Sequence, residues 1–325
     1  MTLPQSTPVH SQMARFCLLV VLCIGNVPPL IADDKADHQK LSAKMRGMVK
    51  QLATAKGAGF HKLTQQFVEL GGEGVPVKRV LCEVIAGQPG IAGQNALIVL
   101  EKVSPAAAKF ARSLVSAPQG NSGTHAAVFD SYASLFTTLN MEQELDAAVS
   151  PILTGTLLNL AKFGNRASTS ATSTRNDATY ETRRDVCRSG VGLLSRLARD
   201  DDAALGDFVS LVGLEVRYAA DESHLRTEAL RQVGQVTGKD AKRAAIAVPT
   251  IVKVLRNAAT PPNGPLTSLT AFGAQMGSIN QANSALGALR EIGPNAASAA
   301  PVVRQFLGHP TVGDDARRAL DAISG

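Results

Sequence analysis

Ala285-Leu286-Gly287-Ala288-Leu289-Arg290-Glu291-Ile292-Gly293, followed after a short alanine-rich link by Pro301-Val302-Val303-Arg304-Gln305-Phe306-Leu307, decides the fold. The first segment places apolar residues three and four apart, the period of a helix with one buried face, and ends in a glycine, a common helix stop. A near copy lies upstream. Ala229-Leu230-Arg231-Gln232-Val233-Gly234 reproduces Ala288-Leu289-Arg290-Glu291-Ile292-Gly293, and Pro249-Thr250-Ile251-Val252-Lys253-Val254-Leu255 keeps the proline and leucine of the second segment at the same separation. A lone helix pair of this size cannot bury its apolar face, whereas stacked copies can, so the recurrence predicts an array of helical repeats.

Further out the same pattern returns in weaker form. Asn95-Ala96-Leu97-Ile98-Val99-Leu100-Glu101-Lys102-Val103 carries its Ala, Leu, Leu and β-branched residues in the phase of residues 284–292. Pro76, Pro105, Pro151, Pro249 and Pro301 each follow a small or β-branched residue and precede an apolar helical pattern. Proline is favoured at a first helical position, where its missing N–H has no partner to lose. The proline spacing fits an irregular repeat of roughly 40–50 residues. Val77, Val80, Leu81 and Val84 are expected to face the core after Pro76; Val128, Tyr132, Leu135 and Leu139 form a stripe over 124–139.

The N-terminal part reads as a cap, with Leu41, Met45, Met48 and Leu52 at helical spacing, a break at Lys56-Gly57-Ala58-Gly59, and a second helix carrying Leu63, Phe67 and Leu70 up to Gly71-Gly72. Neither glycine cluster follows a strand pattern or supplies the Lys-Ser/Thr of a phosphate loop, so both are inter-helix turns. Residues 165–179 are the most polar stretch and are read as a loop or insertion, dividing N-terminal repeats (33–164) from C-terminal repeats (180–325). Beyond it, Arg183, Arg184, Arg188, Arg196 and Arg199 punctuate a helix that buries Val186, Val191, Leu194 and Leu197. With Glu181 and Asp185 interleaved, this charge run reads as a solvated face rather than an anion site. Asp200-Asp201-Asp202 lacks the spacing of a calcium loop and suits a helix start, where the dipole favours negative charge.

Aromatic residues make up 4% of the 325 and tryptophan is absent, so the core must be built from Ala, Leu, Val and Ile, which suit close helix packing. The 33 basic residues are interspersed with 27 acidic ones, and without a concentrated basic face nucleic-acid binding gains no support. Residues 16–25 form an apolar run just after Arg15, closed by Pro28-Pro29, and read as a secretory signal peptide over residues 1–32. The run is shorter than the roughly 20 residues of a bilayer span, so no stable membrane span is expected once the leader is cleaved. Cleavage is expected after Ala32, alternatively after Gly25, and Met13 is a second possible start. The mature protein is then secreted or periplasmic. It retains Cys82 and Cys187, expected as two separate buried thiols rather than a disulfide framework.

The residues 221–323, with Ala229-Leu230-Arg231-Gln232-Val233-Gly234, Ala288-Leu289-Arg290-Glu291-Ile292-Gly293 and the opener Leu307-Gly308-His309-Pro310 before Asp314, resemble HEAT-like repeats, including the variant found in phycobilisome lyases. The resemblance implies an all-α fold, a right-handed α-solenoid of antiparallel helix pairs of the HEAT/armadillo kind with irregular repeats. It also implies that the second helices line a surface for a macromolecular partner; it implies no catalysis, and no lyase site carries over. In the two best copies the second, fifth and sixth residues after the proline are apolar: Ile251, Val254 and Leu255; Val303, Phe306 and Leu307. The residues between them, Lys253, Arg304 and Gln305, are therefore assigned to the binding face, with Lys78 and Arg79 as N-terminal counterparts.

These readings favour a non-catalytic repeat scaffold, secreted or periplasmic, that binds a protein partner without a cofactor or metal. The rivals are an enzyme or enzyme-accessory subunit with an unrecognised site, and a membrane-associated envelope protein that keeps its leader. His38, His61, His125, His224 and His309 show no metal-ligand spacing, and no serine lies in a Gly-x-Ser-x-Gly elbow. His125, His224 and His309 are expected at the surface.

Overall fold

The computed structural model describes residues 35–72, 76–87, 90–116, 125–141, 145–168, 177–214, 220–259 and 269–325. Helix is the only regular structure among them: α1 (Lys35–Leu52), α2 (Gly57–Gly72), α3 (Val77–Gly87), α4 (Ile91–Val103), α5 (Pro105–Ser116), α6 (His125–Met141), α7 (Ser150–Ser168), α8 (Asp177–Asp200), α9 (Asp202–Val212), α10 (Ala220–Thr237), α11 (Ala241–Ala259), α12 (Leu269–Ile292), α13 (Ala300–Val303) and α14 (Gly313–Ser324). Short 3₁₀ turns occupy Ala147–Val149, Gly293–Ala299 and Arg304–Phe306. The fold is all-α. No described helix is long and apolar enough to cross a membrane. The leader, with its cleavage positions, lies outside the described residues.

Packing follows two rows. Helices α6, α8, α10, α12 and α14 lie against one another in succession, and α7, α9, α11 and the α13 turn form the second row, which α3 joins through α7. From α7 to α12 each helix also packs on its chain neighbour in the other row, and α14 packs on α13. One hydrophobic cluster runs through the whole, from Met45 to Ile323. It continues across the polar stretch at 165–179, where α8 packs on α7. That stretch is shorter than the sequence suggests: residues 165–168 complete α7 and 177–179 open α8.

Core assignments hold where the period is clearest. Leu63, Phe67 and Leu70 on α2, and Val186, Val191, Leu194 and Leu197 on α8, are all buried. So are Ile251, Val254, Leu255, Val303 and Phe306, while Leu307, Val80 and Leu135 are half-buried. The α6 stripe is wider than expected, since Phe129 and Phe136 are also buried and Phe136 stacks obliquely on Tyr132 at 5.8 Å between ring centres. Cys82 and Cys187 are free buried thiols on α3 and α8. Burial, with Asp146 and Glu83 nearby, pushes the Cys82 thiol far above its ordinary range.

The prolines do not share one role. Pro105 opens α5, and Pro301 lies in the first turn of α13. Pro249 sits inside α11, which begins eight residues earlier at Ala241. It is therefore not a helix head, and its ring removes the hydrogen bond an ordinary residue would give the preceding turn. The glycines of the two matching segments differ likewise. Gly293 ends α12 in the left-handed conformation (φ 69°), as a C-terminal cap does, whereas Gly234 lies within α10, whose cap is Gly238 (φ 61°).

Helix ends are held by specific side chains. Asp201 caps α9, its carboxylate accepting from the Ala204 N–H at 2.7 Å. Asp201→Ala is expected to cost about 1 kcal/mol, measurable by urea denaturation. Next to it, Asp202 accepts from Lys242 at 2.6 Å and Arg243 at 3.1 Å. The Lys242 hydrogen bond, against some burial and with Arg243, holds the Asp202 carboxyl below its ordinary range. Arg243 also donates to the Val236 carbonyl at 3.0 Å and to the Ala198 carbonyl, so one side chain at the start of α11 gathers the ends of α8, α9 and α10. Arg226, 8% exposed, performs a similar task in the interior. It donates to the Leu214 carbonyl at 2.7 Å and to Gln281 Oε1, joining the end of α9 to α10 and α12. Burial lowers the affinity of its guanidinium for the proton.

Candidate functional site

The five residues assigned from the repeat fall on the second row. Lys78 and Arg79 are on α3, Lys253 is on α11, and Arg304 and Gln305 form the turn that continues α13. Lys253, Arg304 and Gln305 are exposed. Their exposure has a local cause: on each side the neighbouring residues Ile251, Val252, Val254 and Leu255, or Val302, Val303 and Phe306, are buried, leaving these three on the opposite side of a helical turn. Lys253 and Arg304 follow their prolines by four and three residues, one position apart in the repeat.

The α3 pair has a different environment. Lys78 takes the second position after its proline, which is buried in the other two units, and is itself exposed because α3 buries Val77 instead. Its ammonium meets Asp146 Oδ2 at 2.9 Å. Arg79 is only 22% exposed and is fully engaged: Nε with Glu83 Oε1 at 3.1 Å, Nη2 with Asp207 Oδ1 at 3.0 Å, and Nη1 with Ser150 Oγ at 3.3 Å. Ser150 in turn donates to Asp207 Oδ2 at 2.6 Å. The guanidinium thus bridges α3, the first residue of α7, and α9, three successive members of the second row.

Electrostatics in this cluster oppose one another. Burial alone would lower the basicity of Arg79, but Asp207, followed by Glu83 and Asp201, outweighs it and raises the value. Glu83 is raised above the ordinary carboxylate range, first by burial and then by Asp207, with Arg79 acting against both. Two carboxylates share one cation here. The cluster can hold three helices in register, its side chains satisfying one another.

Asp207, Ser150 and Glu83 were not singled out from the sequence. Ser150 did carry a signal, as the residue before Pro151 at a helix start, but its partner Asp207 is 57 residues away. His309 also differs from expectation. It is half-buried, and Nδ1 accepts from the backbone N–H groups of Thr311 (3.2 Å) and Val312 (3.3 Å), shaping the turn into α14. His61 is exposed, His224 is half-buried, and the side chains of His38 and His125 lie outside the described residues. Among the described residues no group of three His, Cys, Asp or Glu side chains is arranged to hold a metal ion. Compared with the models of known protein families and with curated proteins, the chain matches none.

Proposed function

We propose that this protein is a non-catalytic scaffold of the HEAT-like kind, a right-handed α-solenoid that binds a protein partner through the surface of its second helices. The observation that carries the reading is the pairing of one uninterrupted apolar core through two helix rows with exposed Lys253, Arg304 and Gln305 on the second row. Stacked helix pairs of this sort present an extended surface with little internal rearrangement, which suits recognition more than chemistry. The apolar residues 16–25 support a secreted or periplasmic location, and mass spectrometry of the mature N-terminus tests it: a chain beginning before residue 16 rejects cleavage.

The binding surface is tested by charge reversal. Lys253→Glu combined with Arg304→Glu alters two exposed side chains, so folding is expected to survive, as circular dichroism will show. Partner capture from the cell envelope, quantified against the unaltered chain, is expected to fall about tenfold, the effect of losing roughly 1.4 kcal/mol. Unchanged capture removes these residues from the interface.

A further inference from the structure

The first row contains a cleft of about 350 Å³ between α8, α10 and α12, lined by Arg184, Arg188, Arg231, His224, Glu228 and Met276 among others. That volume lies at the lower end of small-ligand sites, roughly 300–1,000 Å³. Helical periodicity assembles it: Arg184 and Arg188 are one turn apart on α8, and His224, Glu228 and Arg231 follow one edge of α10. Three guanidinium groups surround a single lining carboxylate. Glu228 is already engaged, accepting from Arg231 Nη1 at 3.3 Å and Gln232 Nε2 at 2.9 Å. Arg188 pairs with the exposed Asp185, at 3.5 Å. Cleft walls of low dielectric concentrate the field of such a cluster beyond what a flat charged face achieves. Within the arginine run on α8, which reads as a solvated face, Arg196 donates to the Asn140 carbonyl at 2.7 Å, whereas Arg184 and Arg188 line the cleft.

We infer that this cleft binds a small ligand bearing two or more oxyanion charges, held by the Arg184, Arg188 and Arg231 guanidinium groups through paired N–H···O hydrogen bonds, with Met276 against its apolar part. Guanidinium groups match the geometry of both phosphate and carboxylate oxygens. The site lies on the row opposite Lys253 and Arg304 and stands independently of the protein-binding reading.

Calorimetric titration of the full chain with pyrophosphate and, separately, with citrate distinguishes a phosphate from a carboxylate ligand. At least one is expected to bind below about 10 mM and to weaken as salt screens the charges. Arg184→Gln with Arg188→Gln, and independently Arg231→Gln on the other helix, are expected to weaken that binding about tenfold each. Arg317→Gln, an exposed side chain on α14, is the control that leaves it unchanged. Absence of binding by both anions, or binding equally affected by the control, overturns the proposal. So does binding that survives both cleft variants.

Discussion

Gly234→Ala is expected to destabilise the protein by about 1–3 kcal/mol, the usual effect of forcing extra volume into a packed interior. A Cβ at this position would lie 2.9 Å from both the Cα and the carbonyl oxygen of Ala288 and 2.5 Å from Glu291 Oε2. Glu291 is exposed and its side chain can swing away, but the Ala288 backbone belongs to α12 and moves only if the whole helix does. The missing Cβ is what lets α10 and α12 approach so closely. Gly192 on α8 and Gly287 on α12 provide the contrast, because nothing lies within 4 Å of where their Cβ atoms would be. Alanine there adds no clash and reduces the freedom of the unfolded chain, so each is expected to stabilise by about 0.5–1 kcal/mol. Urea denaturation followed by circular dichroism reads all three. Gly234→Ala as stable as the Gly287 variant would mean that the two helices are not held at this crossing.

Gly234 also shows where sequence reasoning reaches its limit. In the two matching segments it aligns with Gly293, and by pattern both are helix stops. Only Gly293 is one; α10 continues to Thr237, and Gly234 serves the packing of α10 against α12. A stop and a close crossing leave the same residue in the sequence, because both need the absence of a side chain. Pro249 misleads for a related reason: proline is favoured at a helix start but tolerated inside a helix whose packing outweighs the lost hydrogen bond. The fifth and sixth residues after Pro249 and Pro301 were legible, because burial at helical spacing is a local property. Val254, Leu255 and Phe306 are buried, with Leu307 half-buried.

The candidate surface was legible only in part. Exposure of Lys253, Arg304 and Gln305 follows from their apolar neighbours, so local periodicity suffices. The engagement of Arg79 does not, since its acidic partner Asp207 lies 128 residues along the chain and reaches it only through the stacking of α3, α7 and α9. The cleft on the first row was hidden in the same way. Arg184 and Arg231 belong to different helices, and no pattern within either helix signals that the two will line one cavity.

Arg79→Ala is accordingly expected to act on stability, with a loss on the order of 2 kcal/mol at neutral pH, the scale of hydrogen bonds to charged groups. Removal of the guanidinium leaves Asp207 and Glu83, both less than a third exposed, without the cation they share. Glu83 gives this a pH dependence of defined sign. Its folded-state value is raised above the ordinary 4.5, so the folded protein takes up the proton more readily than the unfolded chain. The stability it contributes is full below the unfolded value and is lost as pH rises through the raised one. Glu83→Gln, which cannot ionise, is therefore expected to be more stable than the unaltered protein at neutral pH, with the advantage shrinking as pH falls toward about 4.5. In Arg79→Ala the opposing pull on Glu83 is gone, its value rises further, and stability falls over a longer span of pH. Denaturation midpoints across this range separate the outcomes. A Glu83→Gln advantage that grows toward acid would mean that Arg79 outweighs burial at this carboxylate, and equal stability of Arg79→Ala and the unaltered chain would mean that the Arg79 ion pairs do not hold these helices together.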